Sequence, residues 1–407
     1  MPDSKAAAPY MSLEGRKIVL GVTGSIAAYK AADLASKLVQ QGATVDVVMT
    51  PSAREFIGAA TFAALTHRPV TTGLFEANSE IAIDHVVLAM KADAVVVAPA
   101  TANTIAKLAL GLSDDPLGAT VLATSAPVIV CPAMDAHMYD NAATQANVET
   151  LRKRGVHVVG PADGRLASGL IGKGRMEEPA RIVEHVRWVL GRKGDLAGWK
   201  VVVSAGGTQE PLDPVRHIAN RSSGKMGYAV AAAARDRGAL VTLVAGPTAL
   251  PDPVGVNVVH VRTALEMRDA VAGAAKSADL LVMAAAVADF RPSEAAKEKI
   301  KKGSRETLTL ELVRNPAIIS EVSGPKLVKV AFAAETGDAV RKAREKTHYL
   351  SAAFIVANDV LEPGSGFGTD TNRVTFVYPD GTDEAMPVMD KLAVAHELLT
   401  RARKKPK

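Results

Sequence analysis

Residues 206–216 read GGTQEPLDPVR, and residues 220–227 read NRSSGKMG. They follow the apolar run Val201-Val202-Val203 and precede an Ala-rich helical run from Tyr228. A turn between strand and helix that holds Gly, Ser, Thr, Arg, Asn and Lys suits an anion. Its free N–H groups and the positive end of the helix dipole face the ligand. The stretch is not a P-loop: Ala219 stands where that pattern needs its first Gly, and Met226 where it needs Ser or Thr. A plain surface loop is the weaker reading, because loops this long and polar between buried elements are usually functional. A turn of about twenty residues points to a large, charged ligand.

A chain of 407 residues implies two domains or more. Ala, Val and Gly dominate and aromatics are only 4%, which suits helices packed tightly on a parallel sheet. The net charge of +5 is modest, and its basic excess lies in short runs at 297–302, 341–346 and 401–407. No aromatic residues interleave with these runs, so nucleic acid is not an expected partner. The single cysteine, Cys131, excludes an intramolecular disulfide and a multi-cysteine metal site, and it fits a reducing cytoplasm. The N-terminal residues carry no apolar signal core, and no apolar run has membrane-spanning length. The expectation is a soluble, cytoplasmic protein with no membrane partner.

The pattern predicts an α/β protein with two doubly wound, Rossmann-like or flavodoxin-like domains and mainly parallel sheets. In the first half, strands are expected at 17–22, 44–50, 94–98, 128–131 and 156–159, with a helix over 26–41. In the second half, strands are expected at 200–204, 240–245, 280–284 and 354–356. Gly and charge cluster at 191–195, where periodicity is lost. The expected division is a flexible tail at 1–15, a first domain at 16–190, a linker at 191–198, and a second domain at 199–407 with a basic C-terminal tail.

In such sheets ligands bind beyond the carboxyl ends of strands. Gly24 and Ser25 follow the first strand and open a helix. Without the third Gly of the dinucleotide fingerprint they suit a single phosphate, as on FMN, or a simple turn with a capping Ser. Pro99, Ala100, Thr101 and Asn103 follow the 94–98 strand and can serve a ring or phosphate, or cap the next helix. Met134 and Asp135 follow the 128–131 strand, where Asp135 can fix a polar substrate or cap a helix. His85 sits among apolar residues, a context more often structural than catalytic. Residues 164–176, GRLASGLIGKGRM, are Gly-rich and basic, as in a flap that folds over a ligand.

Taken in order, GVTGSIAAYK, PAMD, GKGRM, GGTQEPLDPVRHIANRSSGKMG, AAAVADFRP, KIKK, FAAET and AND resemble one family over nearly the whole chain. It is the bifunctional phosphopantothenoylcysteine decarboxylase/phosphopantothenate–cysteine ligase of coenzyme A biosynthesis. The resemblance implies an FMN-binding first half that oxidises the cysteinyl thiol of its substrate. CO2 is then lost, and the enethiol is reduced to 4′-phosphopantetheine. By this resemblance Gly24, Ser25, Ile26, Thr50, Pro99, Ala100, Thr101 and Asn103 are FMN contacts, Met134 is a substrate contact, and His85 is the active-site His. The family's PxMN asparagine falls on Asp135, and its proton-donating flap cysteine falls on Ser168. These are two departures: Asp135 loses the amide donors, and Ser168 is a far weaker acid than a thiol.

For the second half the resemblance implies ligation of cysteine to 4′-phosphopantothenate with CTP and Mg2+, through an acyl-cytidylate. Arg216, Asn220, Ser222 and Ser223 fall on substrate and nucleotide contacts, and Asn220 and Lys299 on catalytic ones. Asp289 falls on a nucleotide and metal contact. Pro316, Ala317, Ile318, Ile319 and Phe332 fall on the cytosine side, and Lys346 on a further nucleotide contact. A further family lysine falls near Leu350, so that contact is missing. The resemblance also implies a homo-oligomer built from trimeric flavin domains and dimeric ligase domains. Two other readings compete. One is a ligase with an impaired flavin half, which Ser168 and Asp135 favour. The other is a non-enzymatic flavin-binding regulator, against which the Arg216, Asn220, Asp289 and Lys299 set argues.

Overall fold

The computed structural model of the protein describes residues 12–74, 84–302, 306–366 and 368–404. They form two compact units, one ending at Leu190 and one starting at Gly191. In the first, β1 (Lys17–Val22), β2 (Thr44–Met49), β3 (Val70–Thr71), β4 (Ala94–Ala100), β5 (Val128–Pro132) and β6 (His157–Val158) form one sheet. Its order is β3-β2-β1-β4-β5-β6, with every neighbouring pair parallel. The connections carry α1 (Ala28–Gln40), α2 (Ala59–Thr66), α3 (Asp84–Lys91), α4 (Ala102–Leu110), α5 (Pro116–Ala123), α6 (Ala136–Asp140) and α7 (Ala142–Lys153). A hairpin, β7 (Ala162–Arg165) with β8 (Ile171–Arg175), and α8 (Pro179–Gly191) follow.

A parallel sheet covered on both faces needs apolar residues at every position, and β4, AVVVAPA, is buried throughout. Alternate β1 residues enter different cores: Ile18, Leu20 and Val22 enter one, and Val19 the other. The first helix starts at Ala28 rather than at 26, because Ser25 Oγ accepts a hydrogen bond from the Ala27 N–H at 3.2 Å and holds a turn. Leu13, expected to lie in a tail, is buried against the first core, and its N–H donates to Gln41 O at 2.8 Å. The rest of that expected tail, residues 1–11, lies outside the described residues.

The second unit starts with β9 (Lys200–Ala205), a hairpin of β10 (Gln209–Pro211) and β11 (His217–Ala219), and α9 (Lys225–Asp236). Then come β12 (Leu240–Ala245), β13 (Asn257–His260), α10 (Ala264–Ala275) and β14 (Leu280–Met283). A second hairpin pairs β15 (Phe290–Pro292) with β16 (Leu312–Arg314). After α11 (Ile318–Glu321) come β17 (Val328–Glu335), α12 (Ala339–Leu350) and β18 (Phe354–Asp359). The chain closes with β19 (Thr371–Asn372), β20 (Thr375–Val377), β21 (Asp383–Ala385), β22 (Met389–Asp390) and α13 (Lys391–Arg403). The main sheet runs β13-β12-β9-β14-β17-β18-β20-β21, parallel except for β20 and β21 at one edge. β17 is absent from the sequence expectations. Its VKVAFAAE pattern carries Lys329 in its first half and is rich in Ala, so its short apolar run, Val330 to Ala334, fits a helix as well as a strand.

The expected linker packs closely on the second unit. A Cβ on Gly191 or Gly194 would lie 2.2 Å from Asp236 O or 2.5 Å from Arg237 O, and Leu196 is fully buried. The same close approach sets α9 on its strand. A Cβ on Gly227 would lie 2.5 Å from Ala205 Cβ and 2.8 Å from Ser204 O. Gly227→Ala gains about 1 kcal/mol of helix propensity, but overpacking against backbone costs about 1–3 kcal/mol. The clash wins, so the denaturant midpoint of the second unit falls.

Candidate functional site

In the first sheet the strand order reverses between β1 and β4, and the carboxyl ends there leave a crevice. Thr23 ties the two ends together: its Oγ1 donates to Pro99 O at 2.8 Å and accepts from Thr101 N at 3.2 Å. Gly24 follows, and a Cβ there would lie 2.4 Å from Ser52 Cβ. No side chain caps α1; its entry is closed by backbone instead, with Ala28 N donating to Ser25 O at 2.9 Å and Lys30 N to Ala27 O at 3.0 Å. Thr50 directly follows β2 and is 6% exposed, and its Oγ1 has no hydrogen-bond partner. A buried, unpaired hydroxyl costs about 1–3 kcal/mol, so this oxygen suits a ligand contact. Thr101 caps α4 through Thr104 N at 3.3 Å, and Asn103 is exposed on the first turn. These residues fit a flavin phosphate and ring.

A cavity of about 340 Å3 adjoins this turn; its lining includes Ser25, Ile26, Tyr29, Lys30, Met134, Asp135, Arg165, Ser168 and Arg175. The β7–β8 hairpin lies on the end of β5: Met134 N donates to Gly174 O at 2.9 Å, and a Cβ on Gly174 would sit 2.2 Å from Met134 O. The two departures named above meet here. Ser168 Oγ donates to Asp135 Oδ2 at 2.6 Å, while Asp135 Oδ1 caps α6 through His137 N at 3.1 Å. The Ser168 hydroxyl, and then the His137 N–H, hold the Asp135 carboxyl below the usual range. Lys30, 8% exposed, donates to Met176 O at 3.1 Å and Glu178 at 2.8 Å. Lys30, Arg165 and Arg175 are cavity residues that the sequence reading did not single out. His85 lies on α3 and is not among the residues lining this cavity. Cys131 is fully buried, and burial pushes its thiol up, so it cannot replace the flap cysteine.

In the second sheet the order reverses between β9 and β14, and GGTQEPLDPVR starts where β9 ends. Gly206 O accepts from Ala286 N at 2.8 Å, and Thr208 Oγ1 accepts from Ala288 N at 3.0 Å. Glu210, 1% exposed, accepts from Ala264 N at 3.0 Å at the start of α10 and so anchors a helix, not a ligand. Asn220 Nδ2 donates to the carbonyls of Ala286 and Val287, at 3.4 and 3.1 Å. Arg216 pairs with Asp213 at 2.6 Å; its guanidinium, foremost, holds that carboxyl far below the usual range. α9 begins at Gly224 (φ 77°) with no side-chain cap, which leaves its first turn open beside Ser222 and Ser223. Lys225 is already engaged, by Gly368 O at 2.8 Å and Asp370 at 2.7 Å.

The remaining predicted residues divide. Asp289 is exposed at the start of the β15–β16 hairpin, and Lys299 is exposed nearby in sequence. Ile318 and Ile319 pack into the core, so only their backbone can face a base. Pro316 and Phe332 are half-buried, Ala317 is exposed, and Lys346 is paired to Glu335 at 2.6 Å. No group of three or more His, Cys, Asp or Glu that could hold a metal is found among the described residues.

Two family models match in tandem. Residues 6–191 match the Flavoprotein model, and residues 196–405 match the DNA/pantothenate metabolism flavoprotein C-terminal domain. The chain is 46% identical to the coenzyme A biosynthesis bifunctional protein CoaBC of Vibrio cholerae over 95% of its own length and 98% of the relative's. The chain belongs to the CoaBC family. Its CoaBC relative from Mycobacterium bovis is also 46% identical, over 94% of this chain and 95% of that one. A solved C-terminal domain of a CoaBC protein is 36% identical, with a TM-score of 0.43, covering 50% of this chain and 94% of that one. No helix among the described residues is long and apolar enough to cross a membrane.

We propose that flavin takes up the unpaired Thr50 hydroxyl. Thr50→Val keeps the shape and removes the oxygen. Flavin affinity, followed by fluorescence quenching, is expected to fall about tenfold, with no loss of apoprotein stability.

Proposed function

We propose that this CoaBC chain converts 4′-phosphopantothenate, cysteine and CTP to 4′-phosphopantetheine, the second unit acting first. The observation that carries this reading is the tandem match of both family models, each over a unit whose key turn follows the central strand of a parallel sheet. In the ligase unit a carboxylate oxygen of 4′-phosphopantothenate attacks the α-phosphorus of CTP, and pyrophosphate leaves. The cysteine amine then attacks the acyl carbon, and CMP leaves. The open first turn of α9 and Lys299 offset phosphate charge, and Asn220, fixed by two carbonyls, orients the acyl group. Asp289 is a single carboxylate, which suits Mg2+ carried mainly by the nucleotide's phosphates. Pro316, Ala317, Phe332 and the backbone of Ile318 and Ile319 serve the base, and Lys346 the nucleotide.

In the flavin unit Gly24, Ser25, Ile26, Thr50, Pro99, Ala100, Thr101 and Asn103 hold FMN. FMN supplies two-electron redox chemistry at the substrate's carbon–sulfur unit. Ser168 keeps Asp135 ionised, so the cavity wall carries a negative charge that the substrate carboxylate must meet. Arg165 and Arg175 line the same cavity and balance that carboxylate. His85, outside the lining of this cavity, keeps its assignment as the active-site His by the family motif alone. Exposed Met90 and Leu122 in the first unit, and Phe290, Leu308, Leu310 and Leu312 in the second, support self-association; trimeric flavin and dimeric ligase contacts are what the family resemblance implies for it.

One observation favours a second reading. The Ser168 hydroxyl is a far weaker acid than a thiol and already donates its hydrogen bond to Asp135, so the final protonation lacks the donor that the family's thiol provides. Mass spectrometry of products from the full chain with FMN, Mg2+, CTP, 4′-phosphopantothenate and cysteine separates the two. 4′-Phosphopantetheine is the expected product. Accumulation of the enethiol, relieved by Ser168→Cys, would establish the impaired half instead.

A further inference from the structure

Asp213 stands inside the GGTQEPLDPVR turn, and its side chain is fully buried. It accepts five hydrogen bonds, divided between its two oxygens. Oδ1 accepts from Val215 N and Arg216 N, both at 2.8 Å, and closes the turn. Oδ2 accepts from Arg216 Nε at 3.0 Å, Arg216 Nη2 at 2.6 Å and Ile300 N at 3.1 Å. Arg216 Nη2 also donates to Ile300 O, at 2.8 Å. One ion pair therefore grips Ile300 at both its N–H and its C=O. Ile300 lies between Lys299 and Lys301, in a stretch from 293 to 302 that has no helix or strand of its own. A further tie joins this stretch to the turn, from Ala296 N to Leu212 O at 2.9 Å.

We propose that Asp213 and Arg216 are positioning residues, a clamp that holds Ile300 and thereby sets Lys299 against the glycine-rich turn. Charge-assisted hydrogen bonds are roughly twice as strong as neutral ones. A segment with so few bonds of its own opens cheaply, so those at Ile300 govern how long Lys299 stays in place. The clamp gives Arg216 a role within the chain, distinct from contact with substrate. That Lys299 faces the triphosphate rests on the proposed ligase reading; the clamp rests on geometry alone.

Asp213→Asn separates the two oxygens' tasks. Asn keeps an acceptor for the turn, but its amide meets the Ile300 N–H and Arg216 donor to donor. In the full-length variant, trypsin is expected to cut after Lys297, Lys299, Lys301 and Lys302 about tenfold faster than in the unchanged protein. Cutting after Lys153 should be unchanged, and KM for CTP should rise more than KM for 4′-phosphopantothenate. Arg216→Gln keeps the turn's bonds and frees Ile300 O, so it should speed the same cuts; it decides the matter if the first variant does not fold. An unchanged cleavage rate in this segment overturns the clamp. If Lys299→Ala leaves CTP-dependent pyrophosphate release unchanged, the link to catalysis falls with the reading of Lys299, while faster cleavage still establishes the clamp.

Discussion

Both halves depend on joining two strand ends that diverge. Where strand order reverses, neighbouring crossovers leave to opposite faces, and the backbone between them loses its ladder partners. In the second unit the join is mostly backbone: Gly206 O accepts from Ala286 N and Thr208 N donates to Ala286 O, with the Thr208 hydroxyl accepting from Ala288 N. A Cβ on Gly246 would lie 2.7 Å from Gly207 O, so only glycine lets these chains approach so closely. The first unit achieves the same with one side chain, Thr23, bonded to Pro99 and Thr101. Each ligand turn is therefore rigid at its root and free at its tip. Rigid elements with functional loops beyond them allow one fold to carry two different chemistries.

Much of the framework was legible because buried parallel strands leave continuous apolar runs. Residues 17–22 and 240–245 of the sequence are β1 and β12 without adjustment. β17 was not legible, because Ala and Lys in VKVAFAAE fit a helix as well as a strand. The chemistry-bearing turns could be read from residue type, and their functions came with the family resemblance. What residue type could not give was pairing. Glu210 looks like part of a ligand site and instead holds the start of α10. Ile318 and Ile319 fall in the motif but are buried in the core. Lys225 looks free for phosphate and is taken by Asp370. These contacts span tens to hundreds of residues, and no local periodicity encodes them.

Asp135 and Ser168 show the same limit. Read singly, each is a loss: an amide gone from one position, a thiol from the other. In the folded chain they form a donor and acceptor 2.6 Å apart, so a hydroxyl satisfies the acid in the cavity wall. The contact also fastens the turn of the β7–β8 hairpin to the start of α6.

The burial of Cys131 has a consequence beyond its own inertness. The proposed reaction consumes one thiol compound and makes another, and such thiols exchange readily with accessible protein cysteines. This chain has one cysteine, fully buried, with its thiol pushed up by that burial. It offers nothing for a mixed disulfide with substrate or product and no thiolate for oxidants or alkylating reagents. The protein's one thiol is thereby insulated from the thiols of the proposed reaction.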